Sequence, residues 1–90
     1  MNRETPEYDR ANGIVNQVDV VASDALQEAI FAAWDGDLEA SLNEARTLIN
    51  RYTRARYGNL VAEFHLSLVN SIDLDAIRWE SERVSIGGAA

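Results

Sequence analysis

Two helical stripes of apolar residues stand side by side in the middle of the chain. Ala25, Leu26, Ala29, Ile30, Ala33 and Trp34 recur at the 3.6-residue period of a helix with one buried face. Asp24 precedes that run and Gln27 comes three residues later, the spacing of a capping box. Gly36 comes just after the last stripe residue, where a helix end favours left-handed backbone, and Asp37 is placed to cap the next helix. A second stripe then runs through Leu38, Leu42, Ala45, Leu48, Ile49 and Tyr52. Glu39, Asn43, Glu44, Arg46, Asn50 and Arg51 take its opposite side. Two amphipathic arms joined by so short a turn must lie antiparallel and bury their stripes together.

The flanks are less decided. Residues 1–13 read as a polar lead-in, with Thr5-Pro6-Glu7 as a helix-start signal and Asn12-Gly13 as its stop. Ile14, Val18, Val21 and Ala22 continue the first stripe, so we expect helix across 14–22, although its valines also suit a strand. After Gly58-Asn59, residues 60–69 have every even position apolar, with Glu63, His65 and Ser67 between, which locally is a strand pattern. A helix there would use Leu60, Val61, Phe64, Leu68 and Ile72 and leave Ala62 and Leu66 on its far side. One alternating segment without a convincing partner favours the helix, from about 59 to 71. Ser71-Ile72-Asp73 offers a cap before a short stripe of Leu74, Ile77, Ser81 and Val84. The expected fold is mostly α, a small helical bundle built on the hairpin, with residues 14–86 as one domain and 87–90 as a flexible tail. The alternative is α+β, two helices packed on a small sheet that includes residues 60–69.

Composition narrows the function classes. Ninety residues with 47% hydrophobic content can bury one small core. With no cysteine, disulfides and thiolate metal sites are excluded. No basic-then-apolar leader pattern and no long apolar run are present, so the chain reads as soluble and cytoplasmic, with no membrane role. A net charge of −7 argues against direct nucleic-acid binding, which rests on phosphate neutralisation. The charge is uneven. Residues 1–45 hold ten acids and two arginines, whereas residues 46–60 hold four arginines and no acid. Part of this complements the helix dipole, with Asp37 and Glu39 early in the second arm and arginines late. The rest could form a basic-aromatic patch, Arg51-Tyr52-Thr53-Arg54-Ala55-Arg56-Tyr57, that grips an anion or an acidic partner, with Arg51 and Arg54 on the same helix face. All eight basic residues are arginine, whose planar fork suits carboxylate pairing at a partner surface.

Catalytic and metal chemistry find little support. His65 is the sole histidine, and Glu63 and Ser67 beside it do not make a triad geometry. Asp35-Gly36-Asp37-Leu38-Glu39 fails as a calcium loop, because Ala40 and Arg46 stand where that loop needs glycine and a bidentate glutamate. Asp73, Asp75, Glu80 and Glu82 read as a solvated helix start. No glycine-rich phosphate loop is present. We therefore expect no enzyme, no cofactor and no metal. Trp34 at the hairpin tip is expected to close the core. Trp79, amid Arg78, Glu80, Ser81, Glu82 and Arg83, is a candidate interface anchor.

Trp34-Asp35-Gly36 is a W-x-G between two helices in a small, acidic, cysteine-free chain. In that it resembles the secreted helical-hairpin family named for its W-x-G turn. The resemblance implies a dimer, export by a specialised system and a nearly continuous helix over residues 38–75. Gly36-Asp37-Leu38-Glu39-Ala40 is also similar to a tetratricopeptide turn, although one hairpin makes no array.

Two functional expectations arise. The first is a non-enzymatic protein-binding module, a small acidic regulator or inhibitor of a basic partner protein, such as one that itself binds nucleic acid. Its acids would mimic a phosphate array. Asp19, Asp24, Glu28, Asp35 and Glu39 would carry the acidic contact, with Arg51, Arg54 and Trp79 as further partner-binding candidates. The second is a dimeric helical hairpin, structural or secreted, as the W-x-G resemblance implies.

Overall fold

The computed structural model describes residues 5–36 and 38–89, with side chains described as far as Val84. The chain is a helical bundle in the order α1 (Pro6–Val15), α2 (Val20–Asp35), α3 (Ala40–Leu48), a π-helical stretch (Ile49–Thr53), α4 (Arg54–Tyr57), α5 (Asn59–Asn70) and α6 (Leu74–Ala89). No strand occurs among the described residues, so residues 60–69 belong to a helix and not to a sheet. The bundle is elongated, about 50 × 20 × 17 Å.

The predicted hairpin is its centre. α2 packs along α3 and the π stretch, and α1 and α6 cover other sides of α2. Ala22, Leu26, Ala29, Ile30 and Ala33 of α2 meet Leu42, Ala45 and Ile49 of the second arm, all essentially inaccessible to water. Each buried Leu or Ile side chain contributes roughly 1.5–3 kcal/mol relative to an exposed one. Trp34 is buried at the tip as expected, with the Tyr8 ring edge-on to it at 5.1 Å.

Several local details differ from the sequence pattern. Residues 6–13 are not merely a polar lead-in: Tyr8, Ala11 and Ile14 bring α1 into the core. The helix passes through Asn12-Gly13, and the Asn12 side chain donates back to the Tyr8 carbonyl of the same helix at 3.0 Å. The break comes later, at residues 16–19, so no helix runs unbroken across 14–22. Asp19 causes it, since its carboxylate accepts from the Val21 N–H at 2.9 Å and starts α2 there. Asp24, the residue expected to cap, is an exposed mid-helix residue instead. Gly36 is extended, at φ −164°, rather than left-handed. The expected Asp37 cap lies outside the described residues. Asp73 does cap as expected, accepting from the Ala76 N–H at 3.0 Å.

Gly58 decides the second half of the fold. Its φ of +96° and ψ of 176° lie in a region that only glycine populates readily. The chain reverses there in a single residue. Arg54 pairs with Glu63 at 2.8 Å and Arg46 reaches the Asn70 side chain at 2.7 Å, so α5 lies antiparallel to the arm before it. The continuous helix over 38–75 that the W-x-G resemblance implies is therefore absent, interrupted at Gly58 and again at residues 71–73.

The N-terminus of α1 is held from a distance. Thr5 makes no side-chain cap of its own, and its hydroxyl donates to Glu80 of α6. The same carboxylate accepts the N–H groups of Glu7 at 2.9 Å and Tyr8 at 3.3 Å. A negative charge on the orphan N–H groups of a first turn is doubly favourable.

These contacts can be tested by substitution. Gly58→Ala should lower stability by about 1–3 kcal/mol, because alanine is strained at that φ and ψ. Gly13→Ala, where an added Cβ meets nothing within 4 Å, should raise it by about 0.5–1 kcal/mol. Thermal melts compare the pair directly. Glu80→Ala should cost about 1–2 kcal/mol. Hydrogen exchange at the Glu7 and Tyr8 amides should then accelerate well before that of α2.

Candidate functional site

α2 has three sides committed to α1, the second arm and α6, and one side open. Its exposed residues are Val20, Val21, Asp24, Glu28, Phe31 and Asp35. At 100° per residue these six lie within one narrow sector of the helix surface. Three are carboxylates and three are apolar, and α2 contains no basic residue at all. Asp24 and Glu28 make no ion pair among the described residues. The open side of α2 is thus an acidic strip interleaved with apolar side chains, running from the helix start to the hairpin tip.

At its N-terminal end the strip meets a groove of about 870 Å³. One wall is Val18, Asp19, Val20 and Val21, at the start of α2. The other is Tyr52, Ala55, Arg56 and Tyr57 at the end of the arm, with Val61 and His65 of α5 beyond them. The π stretch shapes this wall. The Arg54 N–H donates to the Ile49 carbonyl five residues back, which widens one turn. Ile49 and Thr53, four residues apart, both face inward, fully buried, and Tyr52 turns out into the groove instead of completing the core stripe.

α5 departs furthest from its own pattern. Its buried residues are Ala62 and Val69, while Leu60 is 89% exposed and Phe64 56% exposed. The tight reversal at Gly58 and the Arg54–Glu63 pair bring Ala62 against the arm, where a small side chain allows close approach. The larger residues Leu60 and Phe64 are left outside, and from α5 it is Val61 and His65 that line the groove.

Four of the eight partner-binding candidates lie on these surfaces. Asp24, Glu28 and Asp35 share the strip, and Asp19 stands where the strip meets the groove while also capping α2. Glu39 is exposed past the hairpin tip, beside Arg46 and Asp73 in a separate shallow depression. Arg51 and Arg54 do not form a shared anion grip. The Arg54 guanidinium is taken up by Asn50, Asn59 and Glu63, at 2.7, 2.9 and 2.8 Å, while Arg51 is exposed. Trp79 is 62% exposed on α6, with Asp75, Arg78 and Glu82 around it.

His65 is half-buried, with a ring nitrogen (Nδ1) that has no hydrogen-bond partner. On a helix, Glu63 and Ser67 point away from the side His65 occupies. No group of three or more metal-ligating side chains is present among the described residues, and Glu80 is spent on capping α1. The groove and the exposed face of α5 were missed by sequence reasoning. Their signal was there in part: four arginines without an acid, interleaved with Tyr52 and Tyr57.

Comparison of the chain with protein-family models, curated proteins and solved structures finds no match. No helix among the described residues is long and apolar enough to cross a membrane.

The two arginines should behave differently. Arg54→Ala should lower the urea unfolding midpoint by the equivalent of up to about 1 kcal/mol, since its ion pair is partly exposed. Arg51→Ala should stay within about 0.5 kcal/mol of the parent.

Proposed function

We propose that the chain is a non-enzymatic protein-binding module that regulates or inhibits a basic partner through the open side of α2. The observation that carries this reading is the makeup of that side, Asp24, Glu28 and Asp35 interleaved with Val20, Val21 and Phe31, on a helix without a cation. Carboxylates repeating along a rigid helix set up a negative field that accelerates encounter with a positive surface. Apolar groups between them supply the desolvated contacts that slow dissociation. Such a strip suits a partner surface that itself presents arginine or lysine to phosphates. Nucleic acid would be repelled by the same field. In this reading the chain acts in the cytoplasm.

The test is a tagged pull-down from source lysate at low and at high salt, read by mass spectrometry. It is repeated with Asp24→Asn, Glu28→Gln and Asp35→Asn combined. A basic protein captured at low salt and lost as salt rises is expected. The triple variant should slow its association by about tenfold or more and flatten the salt dependence. Phe31→Ala should act mainly on the dissociation rate. Equal capture of the same protein by parent and triple variant would remove the electrostatic reading.

A further inference from the structure

The second arm does not end as a regular helix, and its irregular turn leaves a buried group unsatisfied. Between Ile49 and Thr53 the backbone widens into a π turn, with the Arg54 N–H on the Ile49 carbonyl. Thr53 closes that turn. It is fully buried, and its hydroxyl has no hydrogen-bond partner among the described residues. A buried hydroxyl left unpaired lowers stability. In an ordinary α turn the same hydroxyl reaches the carbonyl four residues back, which is again that of Ile49. Taken alone, the turn is therefore better satisfied as α-helix than in the wide form it adopts.

Arg54, the first residue past the wide turn, supplies the opposing hold. Its guanidinium donates to Asn50 one turn back at 2.7 Å. Across the chain reversal it donates to Asn59 at 2.9 Å and to Glu63 at 2.8 Å. A planar fork fixed on acceptors of both the arm and α5 sets the rotation of the turn that carries it. Only the four residues Arg54–Tyr57 separate the wide turn from Gly58. Glycine there accepts a new backbone conformation at little steric cost, so the extra residue can leave the arm without disturbing the buried stripe upstream.

We propose that the end of the arm has two registers, and that the Arg54 clamp selects the π one. When the clamp opens, residues 53–57 wind into α-helix and the Thr53 hydroxyl bonds the Ile49 carbonyl. The last turn then rotates by about 100° and advances by about 1.5 Å. Ala55, Arg56 and Tyr57 line the groove in the π register, and that rotation carries them off its wall. The groove between α2 and the arm is thus present while the clamp is closed and dismantled when it opens.

Scalar couplings across hydrogen bonds, measured by NMR on the isotope-labelled full chain, read the register directly. In the parent, the amide of residue 54 is expected to couple to the Ile49 carbonyl. In Arg54→Ala that carbonyl should couple to the Thr53 amide instead, with the Tyr57 ring signals shifted and those of Trp34 unchanged. Asn59→Ala with Glu63→Ala opens the clamp from the α5 side and should give the same exchange. Adding Thr53→Val to Arg54→Ala should return part of the population to the π register. Should Arg54→Ala lose helicity, the Asn59 and Glu63 variant carries the test alone. An Ile49 carbonyl still coupled to residue 54 after the clamp is opened overturns the proposal. So does a register indifferent to Thr53→Val, since the hydroxyl is what favours the α turn.

Discussion

Burial of the Leu26–Ala29–Ile30–Ala33 face of α2 is the contact to which most of the structure answers. α1, the second arm and α6 all reach the core through it, and Ile77 of α6 is fully buried in the same cluster. Alanines at 22, 29 and 33 let neighbouring helices approach closely, while Leu26 and Ile30 fill the space between them. A helix surrounded on three sides keeps one side for solvent. In this chain that side carries all the exposed residues of α2, acidic and apolar together. The packing that builds the core therefore also selects which residues of α2 stay in solvent.

A second constraint is confined to one residue. Gly58 reverses the chain without a loop, and α5 is consequently pressed on the arm by its small side chains. The larger residues Leu60 and Phe64 are displaced outward, while Val61 and His65 of the same helix line the groove between α2 and the end of the arm. The π stretch acts in the same place by turning Tyr52 outward. Two local backbone features, neither of them chemically reactive, thus create an extensive apolar surface outside the core.

The two surfaces adjoin at Val20 and Val21 and differ in charge. The strip on α2 carries carboxylates and no cation. The groove lining holds both Asp19 and Arg56. Arginines that the sequence places together are separated in space by their partners: Arg54 and Arg46 tie α5 to the arm, and Arg51 and Arg56 are left outside.

The helical hairpin was legible from the residues alone, because its stripes repeat over several turns and the turn between them is too short for any other arrangement. Burial of Trp34, the start of α5 at residue 59 and the Asp73 cap were legible for similarly local reasons. The acidic candidates Asp24, Glu28 and Asp35 could be chosen from charge, and their common side of α2 comes from helix geometry. Other features needed the fold. Asp19 and Asp24 are both competent caps, and the choice between them depends on where α1 ends against α2. The carboxylate holding the first turn of α1 comes from Glu80, more than seventy residues away, and no local pattern announces it. α5 has two plausible faces, a large apolar one and a small one. Hydrophobic periodicity ranks the large face first, but a one-residue reversal at Gly58 admits only the face that lets the two helices touch.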